Sequence, residues 1–205
     1  MKTRRCLSLV AGSLLWAPLV AFAADRCCCQ APAAAAARSA AAYSDRSIYQ
    51  LDATWTTDGG QPFKLGELRG RPVVLAMFFT SCGYACPRIV SDMARIRQSL
   101  PSAVRARAMF VLASFDDEHD TVAALQAYRE GHELGTRNWI LLRGAPDQIR
   151  ELAAVLGVSY KKNALGQFSH SNLITILNRE GEIAHQRAGL DGGLAEAARA
   201  VVASD

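Results

Sequence analysis

The chain has 205 residues, of which 50% are hydrophobic and 20% are charged, and its formal net charge is +4. This size and composition predict one domain with a substantial hydrophobic core, together with a tail. The Lys and Arg residues form no dense stripe interleaved with aromatic side chains, which argues against nucleic acid as a partner.

Residues 1–23 have the composition of a secretory signal peptide. Basic residues precede an apolar run over residues 7–23, and the run ends in the small-x-small sequence Ala-Phe-Ala. This pattern predicts cleavage after Ala23 and a mature domain in the periplasm or another export compartment. The other reading is an uncleaved anchor formed by residues 7–23, and contact with a membrane is expected only in that case.

Residues 24–47 predict a flexible tether rich in Ala and Cys. The segment lacks the hydrophobic periodicity that a packed element needs. It holds three of the five cysteines that remain after removal of the signal peptide, namely Cys27, Cys28 and Cys29. Because that number is odd, at least one thiol of an exported chain is unpaired or metal-bound.

Residues 48–205 predict an α/β domain. Continuous apolar runs such as residues 73–79 are typical of strands buried on both faces, and segments with helical spacing separate them. Strands alternating with helices favour an α/β sandwich, and a terminal antiparallel hairpin makes its sheet mixed. In chain order we expect a hairpin around residues 58–60, strand 73–79, helix 84–100, strand 106–114, helix 121–133, strand 139–142, helix 146–156, a hairpin of strands 172–177 and 182–186, and helix 194–202.

Two cysteines, Cys82 and Cys86, occupy the loop leaving the first buried strand and the first turn of the next helix. Residues four apart lie on one face of a helical turn, so both sulfurs can face one point. The helix N-terminus favours the thiolate form, which is both the nucleophile and the metal ligand. The pair can therefore clamp a metal with at least one further ligand, or form a local disulfide. Burial as core residues is disfavoured because the pair follows the end of the apolar run.

The candidate for a third ligand is His170, which comes just before an apolar strand. Functional sites in open α/β sheets collect at strand ends, and imidazole is a common metal ligand. The other histidines have less favourable positions. His119 lies in an acidic loop, His132 follows a helical glycine, and His185 is inside a strand pattern.

Three features together resemble the Sco/SenC family of thioredoxin-like proteins, which are associated with copper delivery to cytochrome c oxidase. They are "FFTSCGYACP" after a strand, the acid-rich "DDEHDT", and a histidine about eighty residues beyond the second cysteine. The stretch "DGGQPFKLGELRGRPVVLAMFF" is also similar to the family's entry hairpin and first core strand. The resemblance covers about residues 49–186 and implies a thioredoxin-like sandwich with a mixed central sheet and an added N-terminal β-hairpin.

The resemblance implies that Cys82, Cys86 and His170 bind one copper ion. Two thiolates suit Cu(I), and an imidazole makes Cu(II) acceptable as well. The implied partners are a copper-receiving respiratory oxidase subunit or other copper enzyme, and a copper-donor chaperone. The acid-rich loop departs from the family's Asp-Pro-x-Arg-Asp-Thr pattern, with Asp117 in place of Pro and His119 in place of Arg.

Two functions from different classes remain open. One is a metallochaperone, without turnover, that delivers copper to a respiratory enzyme such as cytochrome c oxidase. The other is a thiol-disulfide oxidoreductase, with Cys82 and Cys86 as the redox dithiol, that keeps a partner's copper-site cysteines reduced. Peroxide reduction is disfavoured because neither cysteine has a threonine three residues before it.

The triple cysteine is open to three readings: an auxiliary copper-loading site, a source of intermolecular disulfides, or a passenger. Of the acid-rich loop, we expect Asp120 or Thr121 to cap the helix that follows.

Overall fold

The computed structural model describes residues 42–163 and 168–205, which fold around a mixed sheet of seven strands. The predicted signal peptide and the triple cysteine lie outside the described residues. The helices and strands are β1 (Thr54–Thr57), β2 (Pro62–Lys64), β3 (Val73–Phe78), α1 (Ala85–Ser99), α2 (Ser102–Arg107), β4 (Met109–Ser114), α3 (Val122–Gly131), β5 (Trp139–Arg143), α4 (Pro146–Leu156), β6 (Tyr160–Lys162), β7 (Phe168–His170), β8 (Leu173–Leu177), β9 (Ile183–Ala188) and α5 (Leu194–Ala203).

The main sheet has the strand order β2-β1-β5-β4-β3-β8-β9. Strands β3, β4 and β5 are parallel neighbours, whereas the pairs β1–β2, β3–β8 and β8–β9 are antiparallel. This arrangement confirms the predicted α/β class with a mixed central sheet. Because β3 and β4 run in parallel, the loops that follow them leave the same edge of the sheet, and the cysteine pair lies where one of these loops enters helix α1.

Strands β3 and β4 form the centre of the core, and all of their residues are buried. Their continuous apolar sequences suit a position with packing on both faces. Helix α1 covers this part of the sheet with a buried stripe that includes Ile89, Met93 and Ile96. Pairing with β4 on one side and with β8 on the other fixes the register of β3. It therefore also fixes the start of the loop over residues 79–84, which we call the cysteine loop.

Apart from shifts of one or two residues at the ends of elements, the structure differs from the sequence-based expectation in two places. The expected strand over 106–114 begins only at Met109, because residues 102–107 form helix α2, with Val104 turned into the core. The strands β6 and β7 have no counterpart among the predicted elements, and they pair with each other in a separate two-stranded sheet. That small sheet matters for the site because its last residue is His170.

Helix α3 begins after Thr121, whose hydroxyl accepts a hydrogen bond from the N–H of Ala124 at 3.2 Å. Of the two residues predicted as caps, Thr121 is therefore the one that caps the helix, and the neighbouring Asp120 has another role. Among the helices of residues 42–163 and 168–205, none has the length and apolar character required to cross a membrane.

Candidate metal centre

The two cysteines lie where the chain passes from β3 into α1. Cys82 is part of the loop and donates its N–H to the carbonyl of Phe79 at 3.3 Å, while Cys86 is in the first turn of the helix. The N–H of Cys86 donates to Sγ of Cys82 at 3.3 Å. Both thiols are free, Cys82 being partly exposed and Cys86 buried. The two sulfurs are thus close together, as predicted from the four-residue spacing. Helix α1 begins only at Ala85, however, so Cys82 reaches the cluster from the loop before the helix and not from a helical turn.

His170 completes the cluster from the end of β7. Its Nε2 lies 4.0 Å from Sγ of Cys86, and the candidate ligand atoms of Cys82, Cys86 and His170 all lie within 4.8 Å of one another. Within residues 42–163 and 168–205, this is the one group of at least three Cys, His, Asp or Glu side chains that could hold a metal ion. The structure therefore brings together the three residues selected from the sequence.

The orientation of the His170 ring suits metal binding. Its Nδ1 lies 3.2 Å from the carbonyl oxygen of Ser171, which makes Nδ1 the protonated nitrogen and the hydrogen-bond donor. The lone pair is then on Nε2, the nitrogen that faces the thiols. A backbone carbonyl in this position is a frequent partner of metal-binding histidines, because it fixes both the tautomer and the ring orientation.

An aromatic cluster holds His170 in place. The His170 ring contacts Phe115, with centroids 5.1 Å apart, and Phe79 at 5.8 Å in a T-shaped arrangement. Phe168 and Tyr160, from the two strands of the small sheet, pack on Phe115 at 5.0 Å and 5.3 Å. These contacts attach the small sheet to the edge of the main sheet. The sequence did not indicate this cluster, since its members are scattered over about ninety residues.

The two thiols have unlike environments. Partial burial raises the pKa of the Cys82 thiol, but backbone N–H groups at the start of α1, led by that of Cys86, outweigh it and lower the pKa below its ordinary value. Burial raises the pKa of the Cys86 thiol well above its ordinary value, and the nearby Cys82 adds to this effect. Cys82 is consequently the accessible and more acidic thiol of the pair.

The cluster opens to solvent through a pocket of about 520 Å³. Cys82 and His170 lie in its wall, with Phe79 and Phe168 on the apolar side and Asn172 among the polar groups. Tyr84, which also lines the pocket, is 69% exposed. A metal ion at the three ligand atoms would therefore be accessible to an incoming ligand from outside.

The other histidines do not reach the cluster. His119 places Nδ1 3.0 Å from the carboxylate of Asp116, and His132 lies against the ring of Tyr128, with centroids 4.2 Å apart. His185 lies in β9, as expected from its sequence pattern. None of the three belongs to the Cys82–Cys86–His170 group.

Comparison with known proteins gives a consistent picture. The family model described as SCO1/SenC matches residues 42–202. A protein of Stutzerimonas stutzeri named "Putative copper-binding protein" is 31% identical over 151 residues, which is 71% of this chain and 72% of that protein.

Solved structures with the same fold include a SCO1/SenC family lipoprotein from Bacillus anthracis str. Ames. It has a TM-score of 0.67 and 23% identity, with 74% of this chain and 91% of the lipoprotein covered. Another is Bradyrhizobium japonicum ScoI with copper bound, which has a TM-score of 0.63 and 20% identity, with 74% and 96% covered.

Proposed function

Since this chain belongs to the SCO1/SenC family, we propose that it binds one copper ion through Cys82, Cys86 and His170 and passes the ion to another protein. The observation that carries the proposal is the meeting of two thiol sulfurs and one imidazole nitrogen within 4.8 Å of one another. The name of the Stutzerimonas stutzeri relative refers to copper binding, and Bradyrhizobium japonicum ScoI has been solved with copper bound. Both support copper as the metal.

The donor set fits copper better than zinc. Thiolates are soft ligands that favour Cu(I), and the single imidazole is a good ligand for Cu(II), so the site suits both oxidation states. A structural zinc site has four protein ligands, and among the described residues the cluster offers three. The backbone carbonyl of Ser171 would keep the His170 ring oriented in either state.

The position of the site suits transfer of the ion. An ion held by three protein ligands at an open pocket leaves room for a donor atom from a partner. Transfer then proceeds by exchange of ligands one at a time, with Cys82 as the accessible thiol and the buried Cys86 as the more protected one. The side chains change partners without any net redox step.

The proposed recipient is a respiratory copper enzyme, in the first place cytochrome c oxidase, and a copper-donor chaperone would supply the ion. The proposed location is the periplasm or another export compartment. This location is supported by the sequence pattern of residues 1–23. The Bacillus anthracis relative is a lipoprotein, and lipoproteins are exported, which supports the same location for this chain.

The test is a titration of the reduced protein with Cu(I) in competition with a colorimetric chelator. His170→Ala is expected to weaken Cu(I) binding by at least tenfold, because one of three ligands is lost. His185→Ala is the matched control, since His185 lies outside the ligand group, and its affinity should equal that of the parent. Equal affinity of parent and His170→Ala would contradict the proposal.

A second candidate function, thiol-disulfide exchange, is favoured by the unlike environments of the two thiols. The Cys82 thiolate would attack a disulfide of the partner, forming a mixed disulfide and releasing one partner thiolate. Cys86, as it loses its proton, would then attack Sγ of Cys82 and break the mixed disulfide, and the second partner sulfur would leave as a thiolate and take up a proton. The partner thus receives two electrons, and this chain ends as the Cys82–Cys86 disulfide. The accessible acidic thiol and the buried second thiol have the arrangement that these two steps need.

The two functions are separated by His170, which a metal site needs and a dithiol reductase does not. If His170→Ala leaves reduction of a test disulfide unchanged but abolishes delivery of copper, the chain acts through the metal. If cells with His170→Ala produce as much active recipient copper enzyme as cells with the parent, the redox role is the correct one.

A further inference from the structure

The acid-rich loop between β4 and α3, residues 115–121, carries a buried carboxylate whose role is not explained by capping. Asp120 is fully buried, with 0% of its surface exposed. Burial of an ionisable group is costly and is tolerated when hydrogen bonds compensate it. The position of Asp120 therefore raises the question of which groups its carboxylate holds.

The carboxylate of Asp120 binds the start of the cysteine loop. It accepts hydrogen bonds from the backbone N–H of Thr80 at 3.1 Å and from the Thr80 hydroxyl at 2.5 Å. It also accepts a hydrogen bond from the hydroxyl of Ser114, at the end of β4. Thr80 is two residues before Cys82, so the carboxylate fixes the point at which the loop leaves β3.

The loop that carries Asp120 is itself held to the next strand. The Arg143 side chain, from β5, donates to the backbone carbonyls of Asp120 at 2.9 Å and of Asp117 at 3.3 Å. The N–H of Asp120 donates to the carbonyl of Asp116 at 3.1 Å. Because its backbone is anchored in this way, Asp120 offers Thr80 a fixed acceptor.

The same loop also reaches the third ligand. Phe115, its first residue, donates its N–H to the carbonyl of Phe78 at 3.0 Å and packs its ring on His170. The loop thus contacts the cysteine side of the cluster through Asp120 and the histidine side through Phe115. These contacts connect two parts of the chain that are separated by about ninety residues.

The geometry points to Asp120 as a positioning residue of the metal centre, which acts through Thr80 to hold Cys82 and Cys86 in the conformation where both sulfurs face His170. This inference rests on the proposed function for its effect on copper. It also has a consequence without copper, because two thiols held together form a disulfide more readily than two thiols in a mobile loop.

The hydrogen bond is tested with the pair Thr80→Val and Thr80→Ser. Val has the shape of Thr without the hydroxyl, whereas Ser retains the hydroxyl. Asp120→Asn changes the other partner, replacing one acceptor oxygen by a donor. Ser114→Ala is the control, because it removes a hydrogen bond to the same carboxylate, together with one that the hydroxyl accepts from the N–H of Asp116 at 3.0 Å, and neither of these involves Thr80. Circular dichroism and thermal melting establish that each variant is folded.

The first readout is Cu(I) affinity. Thr80→Val and Asp120→Asn are expected to bind Cu(I) about tenfold more weakly than the parent, as changes behind metal ligands commonly do. Thr80→Ser should restore the parental affinity, and Ser114→Ala should lower the melting temperature while leaving the affinity unchanged. Unchanged affinity in both Thr80→Val and Asp120→Asn would overturn the inference. So would an equal loss of affinity in Ser114→Ala, since the carboxylate would then act through general stability.

The second readout is the equilibrium of the metal-free protein with glutathione, in which oxidised glutathione and the dithiol give the Cys82–Cys86 disulfide and two reduced glutathione molecules. The equilibrium constant should fall about tenfold in Thr80→Val and return to the parental value in Thr80→Ser. An unchanged constant in Thr80→Val would contradict the positioning role. The two proposals can fail separately. If the parent binds no copper, but its equilibrium constant with glutathione still exceeds that of Thr80→Val about tenfold, the proposed function is refuted and the positioning role stands.

Discussion

Nε2 of His170 lies 4.0 Å from Sγ of Cys86, although 84 positions separate the two residues in the chain. Helix α1 places the sulfur and strand β7 places the imidazole, and the aromatic cluster around Phe115 brings these two elements together. The metal centre is therefore a tertiary contact, and its ligands respond to changes in packing as well as to changes in the ligands themselves.

Removal of the ring of Phe115 should affect copper binding as well as stability. Phe115→Leu leaves a gap beside His170 and is expected to lower the free energy of unfolding by about 1 to 2 kcal/mol and to weaken Cu(I) binding several-fold. The control is Phe110→Leu, which changes an equally buried ring that packs on Trp139 away from the site. Its loss of stability should be similar, with no change in copper affinity. Equal effects on copper in the two variants would show that the aromatic cluster has no special role.

The unlike pKa values of the two thiols predict unequal alkylation. Because the pKa of Cys82 is lowered, a larger fraction of its thiol is ionised at a given pH, and the thiolate is the reactive form. Burial raises the pKa of Cys86 and also limits access to it. In the reduced, metal-free protein, iodoacetamide should modify Cys82 first, with a rate that levels off at a pH below the range usual for cysteine. Peptide mass spectrometry reads the order, and faster modification of Cys86 would contradict the assignment.

The sequence predicts contacts between residues that are close in the chain better than contacts between residues that are far apart in it. The proximity of Cys82 and Cys86 follows from their four-residue spacing at the start of a helix, which is a local property of the sequence, although Cys82 lies in the loop just before the helix. His170 could be selected by its position before β8 and by family resemblance. Its 4.0 Å approach to Cys86 depends on strands β6 and β7, which are three residues each and too short to give a periodic pattern.

Two other features, the role of Asp120 and the start of β4, could not be predicted from the sequence. Asp120 precedes a helix and has the residue type of a helix cap, and only the tertiary structure shows that its carboxylate is turned toward Thr80 instead. The apolar pattern predicts the start of β4 three residues too early, because Ala106 continues the pattern of the strand although the chain is still helical there.

A change far from the site should separate stability from copper binding. Asp58 accepts hydrogen bonds from the Arg129 guanidinium and from the N–H of Leu141, and both charged side chains are largely buried. Asp58→Ala leaves the Arg129 charge without this partner and is expected to lower the free energy of unfolding by about 3 kcal/mol. Urea unfolding measures this loss. The Cu(I) affinity of the folded variant should equal that of the parent, and a marked fall would mean that the site depends on the whole domain.

The most direct test of the central claim is X-ray absorption of the protein loaded with one equivalent of Cu(I). It should be recorded for the parent and for the Cys27→Ser/Cys28→Ser/Cys29→Ser variant. We expect the same spectrum for both, with two sulfur ligands and one imidazole nitrogen, and loss of the nitrogen in His170→Ala. A copper environment that contains sulfur alone, or that disappears with the three N-terminal cysteines, would contradict a copper site formed by Cys82, Cys86 and His170.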